Sequence, residues 1–511
     1  MATAATSPSL RTLPGGRISE HDRQLLRRAA SPDHHRWLAH TANTRGCIRP
    51  VRLTGHLHTV EKDTGRIISS RHTVTDMPDG VLYVPCGDRR TSICPPCAET
   101  YRADTYQLIR AGLAGGKGVP TSVASHPAVF ATVTAPSFGP VHSRNLNRRT
   151  GKVAPCRMRR DLTPCPHGKQ LICTARHTDN HPSLGQPLCL NCYDHAHHVV
   201  WNAWVGELWR RTMIALGRLL KPLERQHGVQ LRVSYGKVAE YQRRGVVHFH
   251  ALIRLDTRDP NDPDAILPPP AAITTQTLGE LVAAAVTTTA FRTPDYPDTS
   301  HSWPITWGRQ LDVRPIRSTS ASEGAPDVST DAVAAYLAKY ATKATEPTGL
   351  PVTGRMNGET AEYYSDPDTH LGRLIAYAWQ LGTLPSSQTT EQQCQDWHDT
   401  YGRLRRWTHM LGFGGHFATK SRRYSTTHKQ LRADRREYQR TSRTDWRDRQ
   451  GCSRDDLSST TETDTDAVSI VCDLTLAGIG WNTTADAELA TSAAMRAREY
   501  RRAVKQERQI A

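Results

Sequence analysis

The sequence shows no GxxxxGK[ST] phosphate-binding loop, no apolar centre near its start and no long apolar run, and each absence bears on a class of function. That glycine-rich turn and its lysine are what cradle a nucleotide's phosphates, so without them there is no sequence basis for an ATP-driven helicase. The N-terminal stretch MATAATSPSLRTLPGG lacks the apolar centre of a secretory signal, and no apolar run reaches the about 18 residues that a membrane span needs. A cytoplasmic protein with no membrane partner is therefore expected. Negative charge is also short: 49 Asp+Glu stand against 66 Lys+Arg, a formal net charge of +17. Spread along most of the chain, that excess favours a partner with many phosphates, a nucleic acid, over an acidic small substrate.

What the sequence does have is cysteine. In a reducing compartment the 12 cysteines are not expected to form a disulfide framework, and their clustering points to metal ligation. They divide into Cys86-x7-Cys94-x2-Cys97 and Cys165-x7-Cys173 followed by Cys189-x2-Cys192, each with a pair spaced for thiolate zinc. Cys47 completes the first set and the second already has four, with His167, His177 and His195 as alternatives for the fourth ligand. Two structural zinc ions are expected, each holding a small module together.

Regular structure is legible around these stretches. HPAVFATVTAPSFG, centred on Phe130, is a β-branched and aromatic run closed by Pro and Gly and reads as a buried strand. Trp201, Trp204, Val205, Leu208, Thr212, Ala215 and Leu219 recur at helical spacing over about five turns, with the tryptophans in the core. LRVSYGKVAEYQRRGVVHFHALIRLD reads as an antiparallel hairpin turning near Gly245, and Ser329 or Thr330 can cap a helix carrying VAAYLAKYATK.

The hairpin carries His248-Phe249-His250. Strand side chains alternate faces, so both imidazoles point to one side and Phe249 to the other. Glu240, on the preceding strand, joins the histidine face if a three-residue loop closes 241 against 245, and faces away if the loop has two residues. With Glu240 the set is mixed nitrogen and oxygen, suited to magnesium or manganese. Tyr336 and Tyr340, four apart on the predicted helix, share a face about 6 Å apart along its axis, with Lys339 and Lys343 beside them. A tyrosine hydroxyl, with a pKa of about 10, becomes a useful nucleophile only when a metal polarises the phosphate it attacks and its own proton is removed.

Phe130-Ala131-Thr132-Val133-Thr134, His248-Phe249-His250 and Tyr336-Leu337-Ala338-Lys339-Tyr340 together resemble, in their order, the three motifs of rolling-circle replication initiators of the His-hydrophobic-His (HUH) endonuclease superfamily. CGDRRTSICPPCAETYRAD, LGQPLCLNCYDHAHHVVWNAWVGELWRRT and MLGFGGHFATKSRRYSTT look like the actinobacterial plasmid replication initiators of RepSA type, over roughly residues 45–430. The resemblance implies a sequence-specific nickase and ligase. One tyrosine attacks a strand of the origin, leaving a 5′-phosphotyrosyl enzyme and a free 3′-hydroxyl that primes a host polymerase, and the second serves termination and rejoining. Lys339 assists at the tyrosines and Lys343 grips the backbone. Unwinding falls to a host helicase, with host single-strand-binding protein. Histidines that precede the tyrosines resemble replication initiators, whereas conjugative relaxases resemble the reverse order. Two rivals remain: a non-catalytic zinc-containing DNA-binding regulator and a two-tyrosine transposase.

The expected fold is α+β: an HUH-nuclease-like antiparallel sheet with packed helices, Cys-rich zinc modules and a helical basic C-terminal region. The expected organisation is a flexible N-terminus (1–40), a first zinc module (41–127), a nuclease domain (128–346) with the second zinc module inserted at about 156–195, a basic DNA-binding extension (347–450), and a linker with a C-terminal helix (451–511). The extension, basic and aromatic from Trp407 to Trp446, offers Lys420, Arg422 and Arg423 as DNA contacts, although an Arg-rich run serves equally as a solvated helix face.

Overall fold

The computed structural model describes residues 18–510 apart from 148, 160, 161, 298, 300, 318–327, 344, 346, 347, 351–353, 389 and 450–467. The chain is α+β and forms two compact units, residues 102–434 and residues 1–101 with 435–511.

The larger unit is organised by a six-stranded sheet. In chain order its elements are β1 (Ala128–Val133), α1 (His195–Leu219), β2 (Leu231–Tyr241), β3 (Val247–Thr257), α2 (Thr275–Thr288), β4 (Leu311–Arg317), β5 (Val328–Ser329), α3 (Thr330–Tyr340) and β6 (Ala418–Lys420). The strand order is β5-β4-β1-β3-β2-β6, antiparallel throughout except for the β4–β5 pair. The two-residue period of a strand sorts the side chains. Val129, Ala131, Val133, Phe249, Ala251 and Ile253 enter one core cluster with Val205, Leu208 and Leu216 of α1 and Leu278 and Val282 of α2. Burying each larger side chain there stabilises the fold by about 1.5–3 kcal/mol. The opposite face is left to Phe130, Thr132, Glu240, His248 and His250.

Helix α1 runs 25 residues, longer than its apolar spacing suggested, because Asp194 caps it by accepting from the His197 amide and no Pro or Gly C-cap stops it before Leu220. Trp201 is fully buried in the core, as the pattern predicted, while Trp204 is only partly so. Helix α3 is capped by Ser329, which accepts from the Ala332 amide.

The hairpin register differs by one step from the loop considered above. Gln242 pairs with Val246 through its amide, so the three-residue loop is Arg243–Gly245, and Glu240 stands directly opposite His248. An odd loop preserves the parity, and Glu240 lies on the histidine face.

Farther along that face the sheet buries charge. Asp256 accepts from Arg254 Nε at 2.7 Å, from Arg254 Nη2 at 3.0 Å and from Ser234 at 2.6 Å, and lies 2.8 Å from His126 Nδ1; the side chains of Arg254, Asp256 and His126 are entirely enclosed. Arg254 also donates to the carbonyl oxygens of Gly112 and Tyr424, tying the helix Pro95–Ala114 and the segment after β6 to the sheet.

In the smaller unit the strand Val51–Glu61 is flanked by Ile67–His72 and Val468–Ile479 and meets Leu82–Val84 at its start, all antiparallel. Several expected boundaries change. Residues 20–29 and 34–41 of the supposedly flexible N-terminus are helical, the first with Ser19 as its cap. Residues 468–479, taken as part of a linker and helix, form the longest strand partner of Val51–Glu61, so the C-terminal segment folds with the first cysteine module. The Ser/Thr/Asp stretch 452–467 lies outside the described residues. Residues 347–434 do not form a separate extension, since β6 completes the central sheet and the helix His370–Leu381 packs on α1. Among the described residues no helix is long and apolar enough to cross a membrane.

Burial works against the Asp256 carboxylate, but hydrogen bonds from His126 and Arg254 hold its pKa below the ordinary carboxylate value. Its stabilising contribution is thus present above that ordinary value and is lost as pH falls through the folded one. Asp256→Asn, which leaves Arg254 buried without its counter-charge, is expected to cost about 3–5 kcal/mol in urea unfolding at neutral pH. The difference from wild type should shrink in acid; equal midpoints at neutral pH would contradict this account.

Candidate functional site

The pleat and the register together assemble a triad. Glu240 Oε2 lies 3.1 Å from His248 Nε2 and 3.4 Å from His250 Nε2, and one ligand atom from each residue falls within 4.8 Å of the others. The outer nitrogens are held from behind: His250 Nδ1 is 3.0 Å from the Thr132 hydroxyl on β1, and His248 Nδ1 is 3.1 Å from the Gln242 carboxamide at the end of β2. These contacts fix the orientation of both rings and turn the two Nε2 atoms to the shared space; the Gln242 nitrogen donates to His248 Nδ1, so without a metal the His248 proton sits on Nε2, toward Glu240. Burial raises the Glu240 pKa, but the two imidazoles and then Lys343 overcome it and bring it to about 2. Burial lowers that of His250 and so favours the neutral, ligating imidazole. Two imidazoles and one carboxylate on a half-buried face can hold a divalent cation with positions left open.

Helix α3 brings the tyrosines to this face. Val333, Ala334, Leu337 and Ala338 take its buried side, which turns Tyr336 and Tyr340 toward the histidines. The Tyr336 hydroxyl is 3.4 Å from His250 Nε2, the two tyrosine rings are 4.5 Å apart, and Phe130 of β1 stacks on His250 and meets Tyr336 edge-on. Tyr336 is nonetheless 39% exposed. Burial, followed by Tyr340 and the Glu240 charge, pushes its pKa above the ordinary value, so the hydroxyl keeps its proton at rest. Lys343 Nζ lies 4.3 Å from the Tyr340 ring centroid and 3.6 Å from Glu240 Oε1, whereas Lys339 Nζ lies 6.0 Å from that ring. The triad, the tyrosine pair and two ammonium groups thus share one half-buried face of the sheet.

Three further groups could hold metal ions, where two were expected. In the smaller unit Cys47, Cys86, Cys94 and Cys97 converge as the spacing suggested, with Cys86 and Cys97 Sγ 3.7 Å apart and Cys47 and Cys94 Sγ also 3.7 Å apart. Zinc–sulfur bonds of about 2.3 Å in a tetrahedron place sulfurs about 3.8 Å apart, and a disulfide would need about 2.05 Å. Hydrogen bonding from Cys97, against burial and with help from the Cys86 amide, lowers the Cys47 thiol pKa, while Cys47 raises that of Cys97 and burial raises that of Cys86, so the proton is divided unevenly within the group.

In the larger unit the cysteine assignment changes. Cys165, Cys189 and Cys192 are joined by His167, whose Nδ1 is 3.2 Å from Cys192 Sγ. Cys173 belongs instead with His142, Cys156 and His177, its Sγ 3.4 Å from His177 Nε2. His195 is no ligand of either group; its Nε2 lies 3.0 Å from His370 Nδ1 in the core. The equal x7 interval misled because Cys165 and Cys173 flank a turn, Cys165–Lys169, that sends them to different groups. The short Cys173-x3-His177 spacing was the available signal; His142 and Cys156 lie too far off to be paired with it by eye.

Of the basic residues expected to contact DNA, Lys343 stands at the triad. Lys420 Nζ donates to the carbonyl oxygens of Ser421 and Arg422, and Arg423 pairs with Asp264, so both are engaged internally, while Arg422 is exposed. The side chains of Trp446 and its neighbours lie outside the described residues.

The family model described as the replication initiator protein of pSAM2, RepSA, matches residues 33–495. A replication initiator protein from Streptomyces ambofaciens is 40% identical over 427 residues, which cover 81% of this chain and 82% of the relative. No solved structure matches the chain.

Metal analysis of the purified protein is expected to find three equivalents of zinc per chain, one for each cysteine-containing group. Cys156→Ala should lose one equivalent and retain the others; an unchanged content would remove the His142, Cys156, Cys173 and His177 group.

Proposed function

The chain belongs to the RepSA family of replication initiators, and on that premise we propose that it starts plasmid replication by nicking one DNA strand at an origin through a tyrosine. The observation that carries the reading is the meeting of three sequence-distant motifs on one sheet face, with the Tyr336 hydroxyl 3.4 Å from His250 Nε2. A magnesium or manganese ion held by Glu240, His248 and His250 would polarise the non-bridging oxygens of the scissile phosphate.

The rest falls to the chain's own groups. Tyr336 is the first nucleophile: its oxygen bonds to phosphorus, the bond from phosphorus to the 3′ oxygen breaks, that oxygen takes a proton, and the phenolic proton passes to solvent. The product is a 5′-phosphotyrosyl chain and a free 3′-hydroxyl. Because the new ester conserves the energy of the old one, rejoining needs no ATP. Tyr340 accepts the strand in a second transfer, a role that its ring's 4.5 Å separation from Tyr336 supports. Lys343 and Lys339 hold phosphates beside the tyrosines, and Arg422 extends the backbone contact. The 3′-hydroxyl would prime a host polymerase, and a host helicase and single-strand-binding protein would complete the machinery in the cytoplasm. The three cysteine groups, with zinc, brace the loops on which no large core is built.

Incubation with single-stranded origin DNA and manganese is expected to yield a protein–DNA adduct on a denaturing gel. Tyr336→Phe with Tyr340→Phe, and separately His248→Ala, should reduce adduct by about 10³-fold or more while anisotropy still reports DNA binding. Undiminished adduct in the double tyrosine variant would overturn the mechanism. Binding by wild type with no adduct would instead favour a zinc-containing regulator.

A further inference from the structure

A cleft of about 800 Å³ opens where the triad-bearing strands end, and its lining contains Arg243, Arg244 and Arg309 but no carboxylate. Its floor continues the metal face. Thr134 lies two residues beyond Thr132, which backs His250, and Gln242 lies two residues beyond Glu240 and touches His248. The period of two puts Thr134 and Gln242 on the same face as the triad. A polymer with one phosphate at the triad would therefore enter this cleft with the next.

The walls are closely packed backbone segments. The Gly308 amide donates to the Thr134 carbonyl at 2.7 Å, and a Cβ on Gly308 would come within 2.2 Å of the Ala135 carbonyl oxygen, so only glycine lets the segment carrying Arg309 lie this close to β1. Opposite, Gly185 has φ +87 and its Cβ would meet the Arg243–Arg244 backbone at 2.7 Å. Arg243 reaches outward to the carbonyl oxygens of Asp179 and His181, in the loop that follows His177 of the third cysteine group.

The charge in the cleft is unbalanced. Arg244 donates from Nε to the Gln242 carboxamide oxygen at 2.9 Å and from Nη1 to the Pro136 carbonyl at 3.3 Å, both neutral acceptors. Among the described residues none of the three guanidinium groups pairs with a carboxylate. Holding a half-buried guanidinium against neutral partners is costly, and an anion offsets that cost. Guanidinium groups are also the cations best shaped for phosphate.

We propose that this cleft is a nucleotide subsite for the single strand next to the scissile phosphate, with Arg309 and Arg244 on its backbone and Gln242 and Gln310 at its base edges. The role rests on the nicking reading, and occupancy by DNA can be tested without it. Arg309 is exposed and bonds to nothing else described, so its replacement should leave the fold intact.

Binding of a short fluorescein-labelled oligo(dT) by the full-length, zinc-loaded protein, without divalent cation, is measured by anisotropy over a range of KCl. Arg309→Ala should weaken binding several-fold and flatten the slope of log K against log salt by about 0.7, one phosphate contact on a single strand. Arg309→Glu should weaken it further, and Arg225→Ala, an exposed control outside the cleft, should change neither. Unchanged slopes in both Arg309 variants would overturn the subsite even if wild type forms the tyrosine adduct. Changed slopes with no adduct would keep the subsite and sink the nicking reading. If inorganic phosphate or dTMP bound the wild type but not Arg309→Ala while oligo(dT) affinity stayed equal, the cleft would be a small-anion site and the proposal would fail.

Discussion

Across the β2–β3 hairpin Glu240 stands opposite His248, and the whole candidate site inherits that pairing. A slip of one residue would carry Glu240 to the face occupied by Phe249 and leave the two imidazoles with no carboxylate. The register is held from three sides. The three-residue loop ends in Gly245, whose φ of +86 most residues would resist; Phe249 and Ala251 lock their face into the core; and Asn202 of α1 donates to the Gly245 carbonyl while accepting from the Val247 amide. A polar side chain from a buried helix thus clamps the turn beside the triad.

The second constraint is how little apolar material the connecting segments contain. Among the described residues of 134–194 the only regular elements are two-residue strands and one short 3-10 turn, yet the stretch must keep fixed geometry beside the sheet. Two four-ligand groups divide that stretch between them, and a third serves the smaller unit. Where metal binds, its free energy of about 10 kcal/mol or more substitutes for a core these segments lack. Rigid loops matter here because Arg243, in the hairpin turn, grips the carbonyls that follow His177, so the third group and the triad hairpin are mechanically joined.

Charge completes the picture. The net excess is spread along the sequence, and folding engages some of the cations internally without changing that excess: Arg254 is sealed against Asp256, Arg423 pairs with Asp264, and Glu207 takes both Arg210 and Arg211. Among the described residues Arg243, Arg244 and Arg309, at the sheet end, have no carboxylate partner. A basic composition fits the origin DNA that a replication initiator engages, and these cations line the cleft proposed for it.

The sequence by itself determined which residue types the candidate site is built from. The β-branched run at Phe130, the His248-Phe249-His250 alternation and the Tyr336–Tyr340 spacing are local patterns, and local periodicity places residues on faces without knowledge of the fold. The rolling-circle resemblance rested on those motifs, and the RepSA resemblance on other stretches, CGDRRTSICPPCAETYRAD, LGQPLCLNCYDHAHHVVWNAWVGELWRRT and MLGFGGHFATKSRRYSTT. Other features were decided only by tertiary structure, for a common reason: they depend on which distant segments meet. Glu240 needed the loop parity. Cys173 needed a partner 31 residues away in His142, and neither spacing nor residue type distinguishes it from a ligand of the Cys165 group. The strand at 468–479 carries no strong alternation because both its faces stay largely exposed, and it forms by pairing with Val51–Glu61 from the far end of the chain. The arginine cleft is made of strand ends and loops whose separate sequences show only scattered cations; the sheet's order alone brings them together.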